Sequence, residues 1–377
     1  MNSQTNIICR HSLPMPLSQL YIKYRAQSTH LTRIRTLTAL IEGAIRFIAS
    51  ISTANLICNG TSEPKKITKH LERLFINPGF GTVYFTFKEQ IDLLYKSEQY
   101  IFCPELYQLR HNDEFEQAIR HIIDLRNKAS HENASMTEEN ALEEYTQSKA
   151  LFELVLNEIG FLSKYRLGHF QDKHGRSNES ANWIPAQGGA LGEPIHFKFK
   201  GRNPYPIKKP ILFNPNNEAL VLYPLFIIDY LDGVLDYYWP KKMTENSYLW
   251  THPSRTKVKS NLPLQNFDED QVTFTEYCLE ATQWHELHKE PICDTIALKR
   301  LHDIPIFSEE YKDYERIGSG GMGIVYRATD NIDRQVAIKV LRKSSMADVS
   351  SRQRFQEEAK IIASLNHPNI VQIHNAG

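Results

Sequence analysis

The chain has no excess of charge of either sign. Its 377 residues carry 44 Lys and Arg against 44 Asp and Glu. The balance is even along the chain: 17 basic against 18 acidic residues in 1–160, 17 against 17 in 161–305, and 10 against 9 in 306–377. No segment holds the basic surplus that neutralising a phosphate backbone requires, which disfavours a dedicated DNA-binding protein. Cysteine is scarce. Cys9, Cys58, Cys103, Cys278 and Cys293 are odd in number, far apart and never spaced C-x-x-C. That excludes a zinc ribbon built on cysteine pairs and disfavours a disulfide scaffold, so a reducing cytoplasm is the expected compartment. Long apolar runs are also lacking. The start, MNSQTNIICRHSLPMPLSQL, has no uninterrupted apolar core of the signal-peptide kind. The best candidate span, Leu37 to Cys58, is broken by Glu42 and Arg46, each costly at a bilayer centre. It reads as a buried helix, and no membrane association is expected. Neither an internal repeat nor a low-complexity tract is present.

The remaining composition, 41% hydrophobic and 23% charged, suffices for ordinary cores, and the length suggests two or three domains. The expected fold class is multidomain α+β. Residues 16–165 read as a helical bundle. From Ser28 to Cys58, Leu31, Ile34, Leu37, Ile41, Ile45 and Ile48 recur at three- and four-residue steps with charges between them. A polar break follows, with NGTSEPKK (59–66) and NPGFG (77–81) as its turn signals. A helix is expected from Glu114 to about His131. Another follows Asn133, where Ser135 and Glu138 are placed to form a capping box. Residues 172–300 read as a β-rich module. GRSNES (175–180) and PAQGGALGEP (185–194) are expected as exposed loop, while HFKFK (196–200), ILF (211–213), ALVLYPLFIIDY (219–230) and DYYW (236–239) are expected as strands. The third of these could also be a helix.

Residues 314–377 carry the clearest chemistry. Gly318, Gly320 and Gly323 form G-x-G-x-x-G, followed by Val325. Glycines let a hairpin backbone close over phosphates with no side chain in the way. A dinucleotide fingerprint would run straight into a helix. Here IVYRATD, a polar turn and QVAIKVL follow, which read as strand, turn, strand. V-A-I-K ends in Lys339, which on a strand can reach phosphates beneath the glycine hairpin. A helix from Arg352 to Leu365 could project Glu358 towards Lys339, although helical phase does not separate it from Glu357. The stretch resembles the start of the N-terminal lobe of a eukaryotic-like Ser/Thr protein kinase, and GSGGMGIVYRA is similar to the bacterial branch of that family. HPNIV (367–371) extends the resemblance. It implies that Gly318, Ser319, Gly320, Gly321, Gly323 and Val325 cover ATP, that Ala337 lies against adenine, that Lys339 holds phosphates and that Glu358 orients Lys339. The family's H-R-D catalytic loop, D-F-G metal motif and A-P-E are not among these residues. The catalytic base and the Mg ligands are therefore expected beyond residue 377, and the chain as written reads as a truncated kinase.

A second constellation lies in IIDLRNKASHENA (122–134). Arg126, Asn127 and His131 resemble the R-N-x-x-x-H signature of HEPN domains, helical bundles found in prokaryotic ribonucleases and defence proteins. The resemblance implies His131 as general acid/base, Arg126 as stabiliser of phosphorane-like charge and Asn127 as an orienting group. On an ideal helix Arg126 and His131 stand about 140° apart, so one site would need a bend or a second subunit. Basic residues near a helix C-terminus also commonly just cap it. His252 stands alone. W-H-E-L-H (284–288) places His285 and His288 one residue short of the H-E-x-x-H zinc spacing, so no metal site is expected. Glu138–Glu139, Glu143–Glu144 and Lys241–Lys242 read as solvated surface.

Together these features imply a cytoplasmic Ser/Thr kinase acting on protein substrates, with a regulatory N-terminal region that could dimerise through the bundle. A HEPN-type RNA-cleaving effector is the rival enzyme, and a signalling scaffold with a kinase remnant is the non-enzymatic alternative.

Overall fold

The computed structural model describes residues 3–59, 64–75, 78–96, 100–130, 136–171, 180–198, 205, 207–223, 225–231, 234–244, 247–251, 260–262, 311–319, 323–330, 332–341, 357, 359, 361 and 363. The chain divides into two compact units, Met1–Asp294 and Thr295–Gly377.

Among the described residues the first unit opens with helices α1 (Ser3–His11), α2 (Met15–Arg25), α3 (His30–Cys58), α4 (Pro64–Phe75), α5 (Phe80–Lys96), α6 (Glu105–Arg110), α7 (Asp113–Ser130) and α8 (Glu138–Glu158). A 3-10 segment, Ile159–Lys164, follows. α3 is the axis. The Thr29 hydroxyl caps its N-terminus by accepting from the Thr32 amide, and most of its length is buried on every face. It is long and apolar enough to cross a membrane, and 83% of its most apolar stretch is buried inside the unit. Asn55, near its end, is buried. Its amide donates to Tyr100 O at 3.0 Å and accepts from the Phe102 amide at 2.8 Å, which fixes the connection between α5 and α6. The break expected at 59–81 contains α4, which begins at Pro64, where a missing N–H costs nothing.

The capping box expected at α8 involves a residue outside the described ones. Thr137 is the N-cap, accepting from the Asn140 amide, and Ser135 lies outside the described residues. Glu138 turns instead to α3, where its carboxylate accepts from the His30 and Leu31 amides at 2.5 and 3.2 Å. Those amides belong to the first turn of a helix, which lacks internal partners and attracts negative charge. Bonds from the His30 amide, then the Leu31 amide and the His30 ring, hold the Glu138 carboxyl below its ordinary range, although partial desolvation opposes them. Glu138 is thus a helix cap, and Glu144 pairs with Lys128 at 3.0 Å, so neither is merely solvated surface.

Strands described beyond these are β1 (Arg166–Gln171), β2 (Ser180–Gln187), β3 (Ala190–Leu191), β4 (Ile195–Lys198), β5 (Ile211–Phe213), β6 (Ala219–Val221), β7 (Ile227–Leu231), β8 (Val234–Thr244), β9 (Ser247–Thr251) and β10 (Ser260–Leu262). One sheet runs β3-β2-β1-β5-β6, with β4 also on β2, and a second runs β10-β9-β8-β7. Two expectations are corrected. Residues 185–194 are not loop throughout, because Gln187 pairs with Ala190 across Gly188–Gly189 in a tight hairpin. Gly188 has φ +70°, and its amide donates to Leu13 O, anchoring the turn on the helices. The run 219–230 is neither one strand nor a helix. It splits into β6 and β7 around Pro224, which has no amide to offer a ladder.

One core cluster runs across the domain boundary expected near 165–172, while Phe170, Trp183, Phe197 and Phe213 pack on one another outside it. Leu167, Leu212, Leu220, Phe226, Tyr237 and Trp239 pack in the same cluster as Ile41, Phe47 and Phe87. Phe226 meets Phe47 edge-on at 5.7 Å between ring centres. The Trp239 ring lies so close to α3 that a Cβ on Gly43 would fall 2.7 Å from it.

The second unit holds an antiparallel three-strand meander of β11 (Tyr311–Ser319), β12 (Gly323–Asp330) and β13 (Gln335–Leu341). Residues 357, 359, 361 and 363 are helical, in the stretch where a helix is expected.

Candidate functional site

The meander aligns the chemistry-bearing residues by register. Gly318 pairs with Val325 and Val325 with Lys339, so the three form one transverse row across the sheet. In the next row Arg327 pairs with Glu315 on one side and with Ala337 on the other. Directly paired residues share a face, and so do residues two apart on a strand. Val325, Arg327, Ala337 and Lys339 therefore occupy one face. Arg327, Ala337 and Lys339 are exposed there, while Ala328 is buried and Val336 and Ile338 are half-buried. The register slips between Arg316 and Gly318, leaving Ile317 as the extra residue of a bulge, 55% exposed. That bulge brings Gly318 level with Val325.

Gly318 and Ser319 end β11 and Gly323 begins β12, and Gly320 and Gly321 between them lie outside the described residues. At the opposite end, Asp330 fixes the β12–β13 turn. Its carboxylate accepts from the Ile332 and Arg334 amides at 3.0 and 2.9 Å and from the Arg334 guanidinium at 2.8 Å. Desolvation pushes its pKa upward, but these bonds outweigh it and leave the carboxyl below its ordinary range. Asp333, at φ 63°, closes the turn. A turn held this firmly fixes the β12–β13 register, and so fixes Val325 against Lys339.

Glu358 and HPNIV (367–371) lie outside the described residues; Glu357 is exposed on the helical stretch. Lys339 pairs with Val325 and Ala337 with Arg327, in adjacent rows of the sheet. Motif reading passed over Arg327 and Ile317. The period-two alternation from Val325 would have placed Arg327 on the face, but the bulge at Ile317 has no signature in the residues themselves.

Of the other sequence candidates, Arg126 and Asn127 are among the described residues. Arg126 Nε is 3.4 Å from Glu42 Oε2, and its Nη1 donates to Asn127 Oδ1 at 3.3 Å. Glu42 also accepts from Arg46 at 2.7 Å, and Arg46 in turn donates to Pro78 O. Arg126 is thus engaged by a carboxylate of α3. His131 lies outside the described residues, as do His252, His285 and His288. Among the described residues no three His, Cys, Asp or Glu side chains cluster as metal ligands.

Comparison with known proteins places the resemblance where the glycine row lies: residues 311–376 match the family model described as "Protein kinase domain". Over 74 residues the chain is 47% identical to the probable serine/threonine-protein kinase PknB of Lactococcus lactis, covering 19% of this chain and 12% of that protein. It is 42% identical over 71 residues to serine/threonine-protein kinase PknA of Mycobacterium tuberculosis, covering 19% of this chain and 16% of that one. A human relative, NUAK family SNF1-like kinase 2, is 35% identical over 85 residues, covering 22% and 14%. The chain thus spans less than a fifth of the length of each of these relatives. These matches support protein kinase function over this short region. No solved structure matches the chain.

Proposed function

We propose that the protein is a Ser/Thr protein kinase in which residues 311–376 begin the catalytic domain and the N-terminal unit is regulatory. The observation that carries this reading is the row Gly318–Val325–Lys339. It sets a lysine on the exposed face of a sheet, level with Gly318, and a glycine backbone can approach phosphates closely. The donor set fits ATP: a flexible cation for phosphate oxygens, an apolar valine, and a small Ala337 that leaves room for a flat base. Mg, when bound with the nucleotide, neutralises phosphate charge. The chain's own contribution here is to hold and orient the phosphates, with Lys339 as point charge and Glu358 as its orienting partner. The reading extends to a cytoplasmic protein acting on protein hydroxyls, with the helical part of the first unit as the place for self-association.

The test is phosphorylation of protein Ser/Thr by the natural gene product, wild type against Lys339→Met. The variant is expected to lose activity by on the order of 10²-fold or more, because phosphate positioning is a main catalytic contribution in this chemistry. Equal turnover by the two proteins would refute the assignment of Lys339.

A further inference from the structure

The exposed face carries a second cation that the motif does not account for. Arg327 lies on the face of Val325, Ala337 and Lys339, one row away from the lysine. It is two residues further from the glycine turn than Val325, a step of about 7 Å along an extended strand. Resting on the nucleotide reading above, we propose that Arg327 is a nucleotide-contacting residue that engages the base rather than the phosphates.

Three features carry the proposal. Phosphates under the glycine turn lie beside the Lys339 row, so the next row along β12 is displaced towards the other end of a nucleotide laid along the sheet. The residue opposite Arg327 is Ala337, which is exposed and brings only a single methyl to the face. A planar, weakly hydrated guanidinium stacks well on flat aromatic rings, as an ammonium does not. A purely structural role is also available to Arg327, as a residue of the central strand β12 with register partners on both sides. The two roles make different predictions.

The experiment measures binding of ATP and of adenosine to the full chain as wild type, Arg327→Ala, Arg327→Lys and Lys339→Met. Both Arg327 variants are expected to weaken ATP and adenosine by the same factor, about three- to tenfold, the range for a partly desolvated cation on a ring. Arg327→Lys keeps a long cationic side chain at this position, so it guards against a fold defect in the alanine variant. Lys339→Met is expected to weaken ATP and leave adenosine unchanged. Unchanged affinities with a lowered melting temperature in Arg327→Ala would assign the residue to the ladder alone and overturn the proposal. Weakening of ATP but not adenosine would overturn it too, by moving the contact to the phosphates. If wild type binds neither ligand, the nucleotide reading itself fails and the inference falls with it. That outcome is distinct from wild-type binding that is lost only in Lys339→Met.

Discussion

His169 is a buried imidazole whose Nδ1 lies 3.0 Å from the Tyr237 hydroxyl, and burial pushes its pKa down to about 4. The folded protein therefore holds it neutral, while the unfolded chain protonates it near 6.5. Between those values the unfolded state binds more protons, so stability rises with pH there. The contribution is complete above about pH 6.5 and is lost as pH falls towards 4, amounting to about 3 kcal/mol. Urea unfolding at several pH values should show this slope, and His169→Gln should flatten it. An identical slope in the variant would mean that other groups carry the acid sensitivity. Nothing in the sequence around Gly168–His169 announces such burial. The histidine is enclosed because β8, far along the chain, brings Tyr237 to it.

Single elements differ in how far their residues predict them. The helical periodicity of 28–58 leads directly to α3, since an apolar recurrence at three and four residues admits one regular solution. ILF at 211–213 is a strand as expected. The β2–β3 hairpin escaped notice because two adjacent glycines suit both an open loop and a two-residue turn, and only pairing with partners distinguishes them. Glu138 escaped for the opposite reason. A local motif was available to it, and a helix start more than a hundred residues away took the carboxylate instead. At the candidate site, Val325, Ala337 and Lys339 were legible as a motif, whereas their alignment with Gly318 depends on a bulge. Gly43 shows how little latitude the finished elements have. Alanine there would gain about 1 kcal/mol in helix propensity. Its methyl, however, would fall 2.7 Å from the Trp239 ring, and overpacking of this kind costs about 1–3 kcal/mol. Gly43→Ala is therefore expected to be destabilising on chemical denaturation, with Trp239→Phe in the same chain restoring part of the loss. A stabilised single variant would show that the ring has room to move.

For the whole molecule, the shared interior of the first unit decides what can exist separately. A chain ending at residue 165 would leave the helices without Leu167, Leu212, Phe226, Tyr237 and Trp239. It is expected to keep helical circular dichroism but to bind a hydrophobic dye and unfold without a sharp transition. A cooperative transition from that fragment would show the helices to be self-sufficient. The placement of Trp239 against Gly43 also orders events in time. A ribosome releases α3 long before it has made β8, so the most apolar of the described helices emerges with one flank uncovered. It stays uncovered until nearly two hundred further residues have been added. During that interval the nascent chain presents its greasiest surface to whatever is nearby, and its yield in a cell depends on what shields α3 while the tryptophan is still unsynthesised.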